Sequence, residues 1–136
     1  MNQVAIFWPM IAHAVLVFGI YFLMFFRRKA AVQAGSTTVS QFRENTKEPP
    51  ESLFVRNNLA NQFELPVLFH VVCLALYAVQ AVDVVAVVLS WLFVASRYIH
   101  AFIHMTSNRI RYRQPAFSAG FLILGILWVW LAIAIL

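Results

Sequence analysis

Four apolar stretches, each long enough to cross a lipid bilayer, occupy most of the chain. A helix rises about 1.5 Å per residue, so about 20 mostly apolar residues span roughly 30 Å of hydrocarbon. Hydrophobic residues make up 62% of the 136 residues, against roughly 45–50% in soluble domains. The sequence therefore predicts an all-α membrane protein, a four-transmembrane-helix up-and-down bundle forming one domain over residues 1–136. Its helices are expected at about residues 4–26, 57–81, 84–105 and 115–136.

Nearly all basic residues lie on one side of the predicted bundle. Lysine and arginine concentrate in the first loop, residues 27–56, and in the third loop, residues 106–114, whereas the second loop carries only Asp83. Because cytoplasmic loops of membrane proteins carry excess lysine and arginine, loops 1 and 3 are predicted to be cytoplasmic and both termini outside. The net charge of +5 is interpreted as this topology signal. A nucleic-acid partner is not expected, since it would need a basic soluble surface.

The second predicted helix carries an acidic residue at a depth where lipid is expected. Glu64 lies eight residues beyond Arg56, about 12 Å along the helix. Asn57, Asn61 and Glu64 follow the spacing i, i+4, i+7 and so share one helix face. A carboxylate that faces lipid is costly, so Glu64 is expected to face protein or a water-filled cleft and to have a partner.

A second polar stripe, on the third predicted helix, supplies candidate partners. In "SRYIHAFIHMTSN", Arg97, His100 and His104 follow the spacing i, i+3, i+7, at a depth similar to that of Glu64. An ion pair between Glu64 and Arg97 or His100 is therefore predicted. Spacing alone leaves two interpretations open. The pair is either a salt bridge that only orients the helices, or part of a binding site that includes the arginines at the same end of the bundle.

Several motifs together resemble the MAPEG family, the membrane-associated proteins of eicosanoid and glutathione metabolism. The first helix closes on "RR", the second begins with "RNNLANQFELP", and the third contains "SRYIH". The basic segment "NRIRYR" precedes the fourth helix, with Phe117 and Gly120 following. The similarity covers all four predicted helices, and the second-helix run, which ends at Pro66, is its most specific part.

The resemblance implies a homotrimer that binds glutathione between neighbouring subunits near the cytoplasmic side. Glutathione offers two carboxylates to arginines, an amino group to a glutamate, and a thiol. The resemblance therefore implies that glutathione is a co-substrate of a protein that is itself surrounded by membrane lipids. The residues that it implies to bind or lie near the tripeptide are Arg56, Asn61 and Glu64, with Arg97, His100 and one of Arg27 or Arg28 beside them.

The activity implied by the resemblance is glutathione transfer or peroxide reduction at a lipophilic small-molecule substrate, an electrophile or a lipid hydroperoxide. Positive charge stabilises the thiolate, which is the nucleophile. The family's thiolate-activating arginine precedes the fourth helix, where Arg111 is the first choice and Arg113 the second. Spacing alone does not choose among Arg109, Arg111 and Arg113. The other interpretation is that these arginines only set the orientation of the protein in the membrane. The family variant that the chain resembles implies a bacterial inner membrane.

The chain also departs from the family pattern. Arg56 and Asn61 are five residues apart instead of four, and Pro66 follows the glutamate more closely than expected. Ile99 and His104 stand near positions where the family has tyrosines that contact glutathione, although Tyr98 is adjacent. The sequence is therefore interpreted as a divergent bacterial-type member whose substrate could differ.

Two other functions are consistent with four apolar helices. One is a non-catalytic membrane protein of the same fold that binds a lipid-like ligand or a membrane partner. The other is a small proton-coupled exporter, which usually carries an acidic residue in its first helix, where this chain has none.

His13 and His70 are predicted to hydrogen-bond between the first and second helices. No metal site is expected from them, because two histidines have no further ligand nearby.

Overall fold

The chain is entirely helical, and the computed structural model describes all residues from 1 to 136. Four of its segments are long and apolar enough to cross a membrane, so the predicted fold class is confirmed. Short 3-10 helices precede α1 at Gln3–Ile6 and follow it at Val39–Arg43. The five α-helices are α1 at Phe7–Gln33, α2 at Pro50–Gln62, α3 at Leu65–Ala78, α4 at Val84–Met105 and α5 at Ile110–Ala134.

Two helices continue beyond the stretches that hydropathy predicts. Helix α1 runs on to Gln33, and α5 begins at Ile110, so Arg111 and Arg113 are helical. Hydropathy identifies only the apolar part of a helix, whereas the backbone hydrogen bonds continue through a polar turn without interruption. The predicted first loop, residues 27–56, is therefore reduced to a connector of residues 34–49 between α1 and α2.

The predicted second helix is two helices with a break between them. It begins earlier than expected, at Pro50, and the first part ends at Gln62. Pro66 has no backbone N–H to donate to the carbonyl of Gln62, and its ring disfavours helical geometry in the preceding residue. The chain responds with tighter turns, in which the N–H of Phe63 bonds Ala60 at 3.1 Å and that of Glu64 bonds Asn61 at 3.2 Å. The second span is therefore α2 and α3, with Glu64 in the link.

The main apolar core lies between α3, α4 and α5. The rings of Phe69 on α3 and Phe93 on α4 stack with centroids 4.5 Å apart, and both side chains are fully buried. Helix α5 comes close to α4 at Gly120, where an added Cβ would lie 2.7 Å from Oγ of Ser96. This close approach fixes the depth at which the basic first turns of α5 sit beside the end of α4.

A buried carboxylate ties the connector to α1. Glu48 accepts hydrogen bonds from Nε and Nη2 of Arg28 at 2.8 and 2.9 Å. It also accepts from Nδ2 of Asn45 and Oγ of Ser52, each at 2.7 Å. The side chain of Glu48 is 0% exposed, and the Arg28–Glu48 pair is the only ion pair in the chain. Ser52 belongs to the first turn of α2, so Glu48 positions α2 against α1.

The same contacts set the pKa of this carboxyl. Burial raises the pKa of Glu48, but the hydrogen bonds from Arg28, Ser52 and Asn45 outweigh burial and hold it below the ordinary value of 4.5. A carboxyl whose pKa is lowered on folding stabilises the folded state above its unfolded pKa. That stabilisation is lost as pH falls through the folded pKa.

We expect Glu48→Gln to lower the free energy of unfolding by about 1–3 kcal/mol at neutral pH, because two charge-assisted hydrogen bonds weaken. Thermal unfolding of detergent-purified protein would measure the loss. The gap between wild type and variant should narrow as the pH falls from 5 toward 3, roughly the range in which carboxyls protonate. Glu44→Gln, at an exposed position of the same connector, is the control. A gap that stays constant with pH would contradict the assignment to the Glu48 charge.

Candidate functional site

The two predicted polar stripes meet at a partly buried contact between α2 and α4. Arg97 is 2% exposed, and its Nη2 donates a hydrogen bond to Oδ1 of Asn61. Its Nε is buried without a partner. A guanidinium in an apolar surrounding retains a strong tendency to bind an anion or a carbonyl, because its desolvation is only partly compensated. Arg97 is therefore an incompletely satisfied donor at the centre of the site.

Glu64 does not take part in this contact directly. Its side chain is exposed, and although its charge is near enough to act on Arg97, it forms no ion pair with Arg97 or His100, since the chain's only ion pair lies elsewhere. The predicted pairing is therefore wrong within a single chain. Glu64 sits in the link between α2 and α3, so the 3.6-residue periodicity that predicted its direction no longer applies. Its carboxylate remains free for a group from outside the chain.

His100 occupies the inner face of α4, one turn from Arg97. It is 3% exposed, and its ring centroid lies 5.6 Å from that of His104 and 6.0 Å from that of Phe117 on α5. Its Nδ1 is buried without a partner. His100 therefore brings a second unsatisfied polar atom to the same region as Arg97.

A chain of hydrogen bonds crosses the bundle beside this region. The ring of His70 contacts His13, with 2.9 Å between His70 Nε2 and His13 Nδ1. His13 Nε2 lies 3.0 Å from Oε1 of Gln62, and Gln62 Nε2 donates to Oδ1 of Asn58 at 3.2 Å. Nδ2 of Asn58 lies 3.2 Å from Nδ1 of His104. The predicted bond between His13 and His70 is confirmed, and it is one end of a five-residue network.

The orientation of the two amides sets the direction of every bond in this network. Asn58 Nδ2 can only donate, so His104 accepts at Nδ1. Gln62 Oε1 can only accept, so His13 donates from Nε2. A neutral imidazole carries one N–H, so His13 accepts at Nδ1 from Nε2–H of His70. Every hydrogen therefore points from His70 toward His104.

The network involves residues that the sequence pattern did not single out. Of the predicted polar face, Asn57 and Glu64 are exposed, whereas Asn61 is half-buried against Arg97. Asn58 and Gln62, each one residue further along, are buried at 0% and 2% exposure. The sequence did contain a signal for Asn58 and Gln62, since their i, i+4 spacing places two amides on a second face of α2. Only one of two adjacent amide faces can point fully into the bundle.

The basic residues at the end of α1 and in α2 differ in whether their side chains already have partners within the chain. Arg28 forms an ion pair with Glu48. Arg27 is exposed, with its Nη1 3.5 Å from the carbonyl of Glu51. Arg56 is half-buried, and its Nε is buried without a partner. Arg56 is therefore the member of this group best prepared to bind an added anion.

The two candidate catalytic arginines lie in the first turns of α5 and point in different directions. Arg113 is half-buried and donates from Nη1 to Oδ1 of Asn108 at 2.7 Å. Arg111 is exposed, and its guanidinium carbon lies 5.8 Å from the ring centroid of Tyr112. Residues two apart on a helix do not share a face. Within one chain Arg113 is held near the end of α4, whereas Arg111 is free.

The three residues that the resemblance places at or beside tyrosine positions of the family have different surroundings. Ile99 is exposed and His104 is buried in the network. Tyr98 turns toward α1 and donates from its hydroxyl to the backbone carbonyl of Ala12 at 2.7 Å. None of the three offers a free phenol in the region of Arg97.

Comparison with protein families gives one match. The MAPEG family model matches residues 5–133, which is nearly the whole chain and covers all five α-helices except the last residue of α5. No curated protein and no solved structure matches the chain.

We expect Gln62→Leu to lower the free energy of unfolding by about 1–3 kcal/mol, because it leaves the buried His13 N–H and the Asn58 carbonyl oxygen without partners. Chemical or thermal unfolding in detergent would measure the change. Asn57→Leu, at an exposed position on the same helix, is the matched control and should have little effect. Equal losses in the two variants would show that the network adds nothing specific to stability.

Proposed function

The chain belongs to the MAPEG family, and on that premise we propose that it is a glutathione-dependent transferase or peroxidase acting on lipophilic electrophiles or lipid hydroperoxides. The observation that carries the proposal is a set of unsatisfied polar groups on and beside α2. Arg56, Arg97 and His100 each hold a buried nitrogen without a partner, and Glu64 is an unpaired carboxylate. A zwitterionic peptide with two carboxylates and one ammonium group complements this set.

The groups divide naturally among the parts of glutathione. Arg56 and Arg97 would bind carboxylates, for which guanidinium groups are the best donors. Asn61, which already accepts from Arg97, would donate its amide N–H to a peptide carbonyl. Glu64 would accept the ammonium group, and His100 would lie beside the peptide. Of the two arginines that close α1, Arg27 is available for this purpose, since Arg28 is committed to Glu48.

A homotrimer is the assembly that we propose. Asn57 and Glu64 are exposed on a span that is long and apolar enough to cross a membrane. Polar groups at such depth are stable when they face protein, ligand or a water-filled cavity. A neighbouring copy would cover this face and close the site from the other side, which also accounts for Glu64 lacking a partner within the single chain.

The chemistry that we propose runs through the glutathione thiolate. Arg111, or failing that Arg113, would stabilise the thiolate from α5, and the site would thereby lower the thiol pKa from its ordinary value near 8.5. With an electrophile, a carbon–sulfur bond forms and the leaving group departs with the electron pair. With a hydroperoxide, the thiolate attacks the terminal oxygen and yields a sulfenic acid and an alcohol. A second glutathione then gives the disulfide and water.

The second candidate is a non-catalytic membrane protein of the same fold that binds a lipid-like ligand. The observation that favours it is the position of Arg111, which is exposed and bonded to none of the polar groups around Arg97. A binder would need no thiolate-stabilising arginine. The ultraviolet absorbance of thiolate on adding glutathione separates the two, because only the enzyme should develop it at neutral pH.

The protein is an integral membrane protein, and we propose the inner membrane of a bacterium as its location. The supporting observation is that nine of the ten basic residues lie in two polar segments, residues 27–56 and residues 109–113. On the positive-inside rule these segments face the cytoplasm and the termini face outward. The proposed site then faces the cytoplasm, the compartment in which glutathione is made.

We expect Glu64→Gln to weaken glutathione binding by about 10–100-fold, the loss that follows from removing a hydrogen bond to a charged group. Calorimetry on the detergent-purified, assembled protein at neutral pH would measure it. Glu44→Gln, an exposed change in the connector, should leave binding unchanged. A folded trimer that gives no heat with glutathione in the wild type would refute the proposed function.

We expect Arg111→Ala to lower kcat by about a hundredfold while glutathione still binds, because the charge acts on the thiolate and not on the peptide. Arg113→Ala tests the second choice in the same way, and Arg109→Ala, exposed before α5, is the control. The assay is conjugation of glutathione to an aryl halide, with the pH dependence of the rate recorded for each variant. Equal effects from all three changes would point to surface charge in general and against a single catalytic arginine.

A further inference from the structure

The outer surface of α1 carries a continuous aromatic trough. Its first part is a groove of about 640 Å³ lined only by aromatic residues. Their spacing of i, i+3, i+4, i+7, i+8 forms one stripe of the helix, and their side chains are 44–65% exposed. The residues that line this part are Phe18, Tyr21, Phe22, Phe25 and Phe26.

The trough continues toward the connector and changes character there. A second groove, of about 530 Å³, shares Tyr21 and Phe25 with the first. Along α1 it is lined by Arg28 and Lys29, and its opposite wall is Phe42 of the 3-10 helix Val39–Arg43. The surface is therefore aromatic at one end and cationic at the other.

The two cations at that end are not equivalent. Arg28 is neutralised by Glu48, and its guanidinium carbon lies over the ring of Phe42 at 4.8 Å from the centroid. Arg28 thus fixes the wall of the groove. Lys29 is exposed and has no acidic partner. The free positive charge of the trough is therefore that of Lys29.

The dimensions match one leaflet of a bilayer. Phe18 and Lys29 are eleven residues apart, or about 16 Å along the helix. Half of the hydrocarbon thickness of a bilayer is about 15 Å. An acyl chain lying along the aromatic stripe places its headgroup phosphate beside Lys29. Anionic lipids of the inner leaflet are attracted to basic residues at this boundary.

We propose that this trough binds one anionic phospholipid, with an acyl chain along the aromatic stripe and the phosphate held by Lys29. The inference does not depend on glutathione, since no residue of the trough holds one of the unsatisfied groups near Arg97. A second copy of this chain is a poorer occupant on grounds of charge. The protein has ten basic and five acidic residues, and Glu48 is already paired.

The test compares two lipids of equal acyl chains by native mass spectrometry of the detergent-purified, assembled protein. Dioleoyl phosphatidylglycerol should bind with one copy per chain and more tightly than dioleoyl phosphatidylcholine. Lys29→Gln should reduce that preference about fivefold, as expected for one basic residue near a charged leaflet. Lys47→Gln, an exposed lysine of the connector outside the trough, should leave the preference intact.

Two results would overturn the proposal. Equal binding of the two lipids, or equal losses in Lys29→Gln and Lys47→Gln, would show attraction by general charge without a site. A photo-crosslinking amino acid at position 22 distinguishes the occupants directly. A lipid adduct supports the phospholipid site, whereas an adduct to a second copy of the chain shows that the trough is a subunit interface. Glutathione binding, measured on the same samples, reports separately on the proposed enzyme.

Discussion

Polar groups inside a hydrocarbon layer must find partners within the protein, and this requirement organises the bundle. The network from His70 to His104 joins four helices, since His13 lies on α1, Gln62 and Asn58 on α2, His70 on α3 and His104 on α4. Each buried amide or imidazole would carry a desolvation cost if a neighbour moved away. The positions of α2 and α4 are thereby fixed, and the contact between Asn61 and Arg97 depends on those positions.

The charged residues separate into those that build the fold and those left free. Arg28 and Glu48 satisfy each other and hold the connector, while Arg97 is only half satisfied by Asn61. Glu64 has no partner. The family resemblance places one of Arg27 or Arg28 in the same site as Glu64. The surroundings of Arg28 assign it to the structure of the connector, whereas Glu64 forms no ion pair within the chain.

Much of the fold could be predicted from the sequence, because four apolar stretches of sufficient length leave few alternatives to four spanning helices. The ends of α1 and α5 could not, since hydropathy follows lipid contact and not backbone hydrogen bonding. The break near Glu64 was visible only as Pro66, and hydropathy averages over the one backbone hydrogen bond that a proline removes.

For the candidate site, helical periodicity succeeded where the helix is continuous and failed where it ends. Asn61 and Arg97 were placed on facing stripes, and they do meet. Glu64 was placed with them, but it follows the last residue of α2. Asn58 and Gln62 were missed because the rotation of α2 about its axis decides which amides face inward, and packing against α1 and α4 sets that rotation. The contact of Glu48 with Arg28 joins a loop to a helix, and no periodic pattern reports such a pair.

The shared direction of the hydrogen bonds from His70 to His104 makes the five side chains a single cooperative unit. If the amide of Gln62 turned over, His13 would have to move its proton to the other nitrogen, and Asn58 would have to turn as well. His70 and His104 would then change tautomer in the same step. The network therefore has two complete arrangements of opposite polarity and no satisfied arrangement between them. Turning over one amide therefore requires matching changes in every other member of the network, from His70 on α3 to His104 on α4.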